Sequence, residues 1–176
     1  MPTARKKPGR DAATIFAANE RMSQLIIEHL APAAWRAQPT GKVRTIAAIF
    51  THMHNVRCKW VRLTAPHLII PPLLNRANCT PQQARAALAE SAARCEEMLK
   101  EALDGSGAIE TFLRDSWLPA WPVGLEMLSY MLVHEAHHRG QVCLLAHQFG
   151  FPLPDKVSQG LWNWDKLWKK NTHPKH

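Results

Sequence analysis

Apolar residues recur at intervals of three and four through four stretches of the chain, and Pro and Gly fall between those stretches instead of inside them, which is the pattern of amphipathic helices. The first predicted helix runs from about Ala12 to Leu30, with Asp11 placed to cap it and Pro32 beyond its end; Ile15, Met22, Ile26 and Leu30 form its apolar face. The second spans about Val43 to Thr64, between the Pro39–Gly41 turn and Pro66, with Thr45, Ile49, Val56 and Leu63 on one side. The third has the clearest start, with Thr80 as N-cap, Pro81 at the first helical position and Gln83 set to complete a capping box. It continues through an Ala-rich run to about Leu103, where Asp104-Gly105-Ser106-Gly107 stops it. Residues 108–122 lack a helical period and read as an extended connection with room for a short strand. The fourth helix covers about Val123 to Phe149, with Gly150 as its left-handed terminator, and Leu161 to Trp164 reads as a short helix or turn.

Four helices and little strand signal predict an all-α fold, a four-helix bundle. At 176 residues the chain suits one domain, and 46% apolar content with 20% charged residues excludes a disordered or low-complexity chain. The longest apolar stretch, His67 to Leu74, is broken by Pro71 and Pro72 and is far shorter than the roughly 18 residues of a membrane span. The basic start has no apolar run behind it, so no secretory signal is expected, and the expected location is cytoplasmic. Cys58, Cys79, Cys95 and Cys143 form no CxxC pair and are expected to be reduced thiols.

The net charge of +8 invites a nucleic-acid reading, but its distribution narrows that inference. Arg5, Lys6, Lys7 and Arg10 lie in residues 1–10, and Lys166, Lys169, Lys170 and Lys175 in residues 166–176, with no acid in either segment. The other 14 Lys and Arg match the 14 Asp and Glu, so the body is neutral and nucleic acid is an unfavoured partner. The expected organisation is a basic, disordered arm (1–10), a bundle domain (11–168) and a basic tail (169–176).

The chemistry concentrates at His134-Glu135-Ala136-His137-His138-Arg139-Gly140-Gln141. His134 and His138 are one turn apart on one helix face, a spacing that lets two imidazoles reach one metal ion. Met127, Met131, Val142 and Leu145 project within about 80° of His134, so the pair continues an apolar stripe into the core. Two readings follow: each ring hydrogen-bonds a buried carboxylate or carbonyl, or both rings hold a metal. His52 interrupts the apolar side of the second helix and is the candidate third ligand, whereas His54, about 200° around the helix, is expected to face outward. The eight residues also satisfy the HExxH pattern of zinc hydrolases, in which Glu135 would activate a bound water. No third ligand follows at the short downstream spacing of the metzincins, which makes that match the weaker reading. His137 is expected on the flank, Gly140 at a close packing contact, and Gln141 within reach of the histidines. Trp117, Trp121, Trp162, Trp164 and Trp168 are expected to pack at core edges or subunit contacts.

The segment His134-Glu-Ala-His-His-Arg-Gly-Gln-Val resembles the H-x-x-x-H-R-G-Q motif on the last bundle helix of the DinB/YfiT-like metalloenzyme family. His52 ahead of Trp60 is similar to that family's ligand on the second helix, and Phe149-Gly-Phe-Pro-Leu-Pro and Leu161-Trp-Asn-Trp-Asp165 resemble its C-terminal pattern. The resemblance implies up-down-down-up connectivity, a divalent metal held by His52, His134 and His138, and often a homodimer. Characterised relatives include metal-dependent thiol transferases and a thiol-dependent isomerase. The expected protein is therefore a metal-dependent enzyme, a thiol transferase or small hydrolase with an open three-histidine site. A non-catalytic bundle stapled by its ion is the alternative. Zinc and nickel both suit imidazole donors, and Glu135 and Gln141 are the candidates for proton transfer or orientation.

Overall fold

The computed structural model describes residues 8–163, so the expected tail at 169–176, Trp164, Trp168 and residues 1–7 of the expected arm lie outside the described residues. Four long helices dominate: α1 (Pro8–His29), α3 (Ile46–Thr64), α4 (Pro81–Ala102) and α5 (Leu125–Gln148), with short helices α2 (Pro32–Arg36) and α6 (Asp155–Gly160) after the first and last of them. The 108–122 connection forms a two-residue antiparallel ladder, β1 (Thr111–Phe112) against β2 (Trp121–Pro122), in the register Thr111 to Pro122 and Phe112 to Trp121.

Local chemistry sets several boundaries where the sequence places them. The Thr80 hydroxyl accepts from the Gln83 N–H and the Gln83 side chain accepts from the Thr80 N–H, completing the capping box of α4. Gly150 adopts φ +78° just past α5, as its left-handed terminator. Two starts differ: α3 begins at Ile46, not near Val43, with Thr45 as its cap and not part of its apolar side; and α1 starts at Pro8, not after an Asp11 cap, so residues 8–10 of the expected arm are helical. Gly9 permits this start, because a Cβ there would lie 2.5 Å from the Lys100 carbonyl oxygen at the end of α4. The short α2 has no counterpart in the sequence expectation.

α1 and α3 each pack against both α4 and α5. The interior has two apolar clusters. One gathers Ile26, Trp35, Ile49, Phe50, Met53, Leu88, Val142 and Leu145; the other gathers Phe16, Trp60, Leu99, Phe112, Met127 and Met131. Along α3, His52 and Arg57 fall between the first cluster's Phe50 and the second cluster's Trp60, and along α5 His134, Glu135 and His138 fall between Met131 and Val142. A polar layer thus separates two oily ones. Among the described residues no helix is long and apolar enough to cross a membrane.

Candidate metal centre

α3 and α5 meet along the stripe that carries the predicted histidines. The His134 and His138 rings stand 4.6 Å apart between centroids, and His52 approaches them at 5.4 Å and 4.7 Å respectively. One ring nitrogen from each histidine lies within 4.8 Å of the other two. A tetrahedral ion bound at about 2.0–2.1 Å would hold its nitrogens roughly 3.4 Å apart, so small rotamer adjustments separate this cluster from a ligand set. His134 Nδ1 is also buried without a hydrogen-bond partner, a costly state for a core nitrogen unless another group takes up its valence. The donor set and the orphaned nitrogen fit a divalent metal.

The electrostatics point the same way. Burial is the main cause that pulls the His52 and His134 imidazoles down to about 4, with the charge of neighbouring histidines adding to it. Burial likewise lowers His138, although its bond to Gln141 acts against that; Arg44 bears on both His52 and His138, and Lys59 on His52. All three rings are therefore neutral near pH 7, with lone pairs free for ligation and no proton to displace. His138 Nδ1–H donates to Gln141 Oε1 at 2.8 Å, which fixes the tautomer and leaves Nε2 as the acceptor. The buried Trp60 meets the His134 ring edge-on at 5.1 Å and closes one side of the cluster.

Glu135 has a different setting from the one HExxH suggests. Its carboxylate takes two bonds from Arg57, from Nε to Oε1 at 2.5 Å and from Nη2 to Oε2 at 2.6 Å, and a third from Asn19 Nδ2 at 2.5 Å. Burial pushes this carboxyl up, but the Arg57 guanidinium holds it below the usual glutamate range. Both oxygens are committed to an ion pair that is 0% exposed on either side, and Glu135 is not in the three-histidine cluster. The Arg57 guanidinium also contacts Glu20 of α1 at 2.6 Å and the Leu88 carbonyl of α4 at 2.9 Å, so one side chain on α3 ties together all four long helices. Arg139 adds a looser contact with Glu135 at 3.7 Å.

Other expectations need correction. His54 is fully buried, not outward: Nδ1 contacts the Ala87 carbonyl at 2.9 Å, and Nε2 donates to the Pro72 carbonyl at 3.0 Å. α3 has no outer face at that point, since α4 covers one side and the 65–79 connection folds over it. Gly140 is exposed, and a Cβ there would meet nothing within 4 Å, so no close packing explains it. His137 is on the exposed flank, its ring 5.1 Å from that of His138. Trp121 packs on Phe112 and Tyr130 as expected, while Trp117 and Trp162 are exposed. Sequence reasoning missed the buried ionic cluster; its signal was Asn19-Glu20 falling between Phe16 and Ile26 on the first helix, a polar interruption like the histidines.

A protein-family model described as DinB family matches residues 6–157. Searches of curated proteins and of solved structures return no match.

Proposed function

The chain belongs to the DinB family, and from that premise we propose that it is a divalent-metal-dependent enzyme of the thiol transferase type, acting in the cytoplasm as a homodimer with its long helices in up-down-down-up order. The observation that carries the reading is the convergence of His52, His134 and His138, three neutral imidazoles contributed by two helices. Zinc or nickel held by these rings would supply Lewis acidity and lower the proton affinity of a bound thiol. In such a transfer the thiol gives up its proton to solvent, sulfur forms a bond to an electrophilic carbon, and the leaving group departs with its electron pair. Gln141 keeps His138 in the ligating tautomer, and Trp60 excludes water from one side.

The transferase reading is favoured over an HExxH hydrolase because Glu135 has no free oxygen with which to take a proton from water. The connection from α3 to α4, residues 65–80, is long enough to run the length of the bundle, as two successive helices pointing the same way require, and the end of α4 and the start of α5 share one apolar cluster, which supports the proposed helix order. The four cysteines among the described residues are all free, in keeping with a reducing compartment.

Metal analysis of the purified chain beside His52→Ala and His134→Ala tests the site: near-stoichiometric metal in the parent and little in either variant is expected, and full loading of both variants would refute the assignment. Thiol conjugation to a chromogenic electrophile then separates enzyme from staple. Turnover should vanish in a variant that still melts cooperatively near the parent temperature; variants that lose thermal stability while the parent shows no turnover would identify a structural ion.

A further inference from the structure

Beside the three-histidine cluster the surface is concave and carries one sign of charge. A cleft of about 970 Å³ reaches Gln141, the residue bonded to His138, and a neighbouring cleft of about 450 Å³ reaches His52 itself. Arg44 lines both, and it also lines a third cleft together with Lys42 and Arg76. No Asp or Glu lines any of the three, although acids and bases balance over the body of the chain. Arg36, on the same rim, is engaged by the Ala77 and Cys79 carbonyls. Lys42, Arg44 and Arg76 are exposed, and among the described residues no carboxylate pairs with them.

A cationic concavity without countercharge concentrates anions, and a guanidinium fork matches the two oxygens of a carboxylate or phosphate. We infer that Arg44, flanked by Lys42 and Arg76, forms an oxyanion subsite, so that the ligand is a small molecule bearing a carboxylate or phosphate at one end and the group that reaches the histidines at the other. The inference deepens the metal-site reading and rests on it for the ligand's second end. The oxyanion is held by the chain itself, and the subsite can be tested without turnover.

The full chain is loaded with cobalt(II), and thiolate binding is followed by its charge-transfer absorption with two probes: mercaptosuccinate, which carries two carboxylates, and neutral 2-mercaptoethanol. Mercaptosuccinate should bind more tightly, and Arg44→Gln should weaken it about tenfold while leaving cobalt content and 2-mercaptoethanol affinity as in the parent. Arg62→Gln, which removes a charge from an exposed site on α3 outside these clefts, should change neither affinity. Equal mercaptosuccinate affinity in the parent and Arg44→Gln, or an equal loss in Arg62→Gln, would overturn the subsite. A chain that takes up no cobalt would fail the metal reading alone. The subsite is then decided on metal-free protein by NMR titration with succinate and with inorganic phosphate. Shifts at the Arg44 and Arg76 guanidinium signals support it and tell which oxyanion is preferred; shifts at neither overturn it.

Discussion

Arg57→Met is the sharpest probe of the polar layer. In the parent, the guanidinium is completely buried and faces two glutamates, Glu135 at 2.5 and 2.6 Å and Glu20 at 2.6 Å. Removing it leaves two buried carboxylates with only the looser Arg139 nearby, and the cheapest relief is for one of them to take a proton. At about 1.36 kcal/mol per pH unit and an ordinary glutamate value of about 4.3, that protonation costs roughly 3.7 kcal/mol at pH 7. The figure agrees with the about 3–5 kcal/mol typical of breaking one partner out of a buried pair. A chain of this size should then melt roughly 6–20 °C lower. The variant's glutamates have folded pKa values above their unfolded ones, so its folded state binds the extra proton and its deficit must shrink as the pH falls, to about 1 kcal/mol near pH 5. Urea denaturation at pH 7 and pH 5 measures both numbers. Adding Glu20→Gln restores a one-to-one balance of Glu135 with Arg139 and should recover about half of the loss. A deficit under about 1 kcal/mol at pH 7, or one that grows toward acid, would refute the account.

Gln141→Leu removes the acceptor that sets the His138 tautomer and should weaken metal binding about 10- to 100-fold in a chelator competition; unchanged affinity would show that the bond at 2.8 Å plays no orienting part. For the metal-free chain, the lowered His52, His134 and His138 values mean that the unfolded state takes up protons first. Stability should therefore be fully present above about pH 6.5 and fall as the pH drops toward about 4, as thermal melts in a pH series would reveal; a melting temperature flat over that window would count against three neutral rings shielded from solvent, His138 buried and His52 and His134 half-buried. Gly140→Ala should raise stability by about 0.5–1 kcal/mol, since the helical position is exposed and open, while Gly9→Ala should lower it because the Lys100 carbonyl stands 2.5 Å from the new Cβ. If helix propensity alone governed them both variants would gain, so a more stable Gly9→Ala protein in thermal melts would refute the packing account.

What could be read from the sequence depended on how local the cause was. The capping box at Thr80 and the left-handed Gly150 are set by neighbours three residues away or fewer, and helix ends followed from them, whereas Thr45, a cap with no box partner, reads in the sequence as part of its helix's apolar side. The three histidines were legible for a related reason: each broke an apolar stripe on its own helix, so inwardness could be inferred without knowing the partner. That argument fails wherever a helix is covered on more than one side. α3 buries His54, Cys58 and Val61 as well as Ile49, Phe50 and Met53, because α4, α5 and the 65–79 connection enclose it, and a wheel that allots one inner face must send His54 outward. Asn19 and Glu20 interrupt their stripe in the same manner as His52, yet nothing in one helix says that the answering charge is Arg57 on another.

Glu135 joins the two halves of the problem. By sequence it stands where a zinc hydrolase keeps its base, one residue after a ligand; by structure it is about 100° further around the helix, where the neighbouring surface belongs to α1 and α3. A carboxylate there can serve water chemistry only if it faces the ion and holds an oxygen free. With both oxygens committed to Arg57 and Asn19, its effect is to lock α5 to α3 one residue away from His134 and five residues along α3 from His52. The same four-residue spacing that puts His134 and His138 on one face therefore leaves the intervening glutamate to fix the register in which those histidines meet the third.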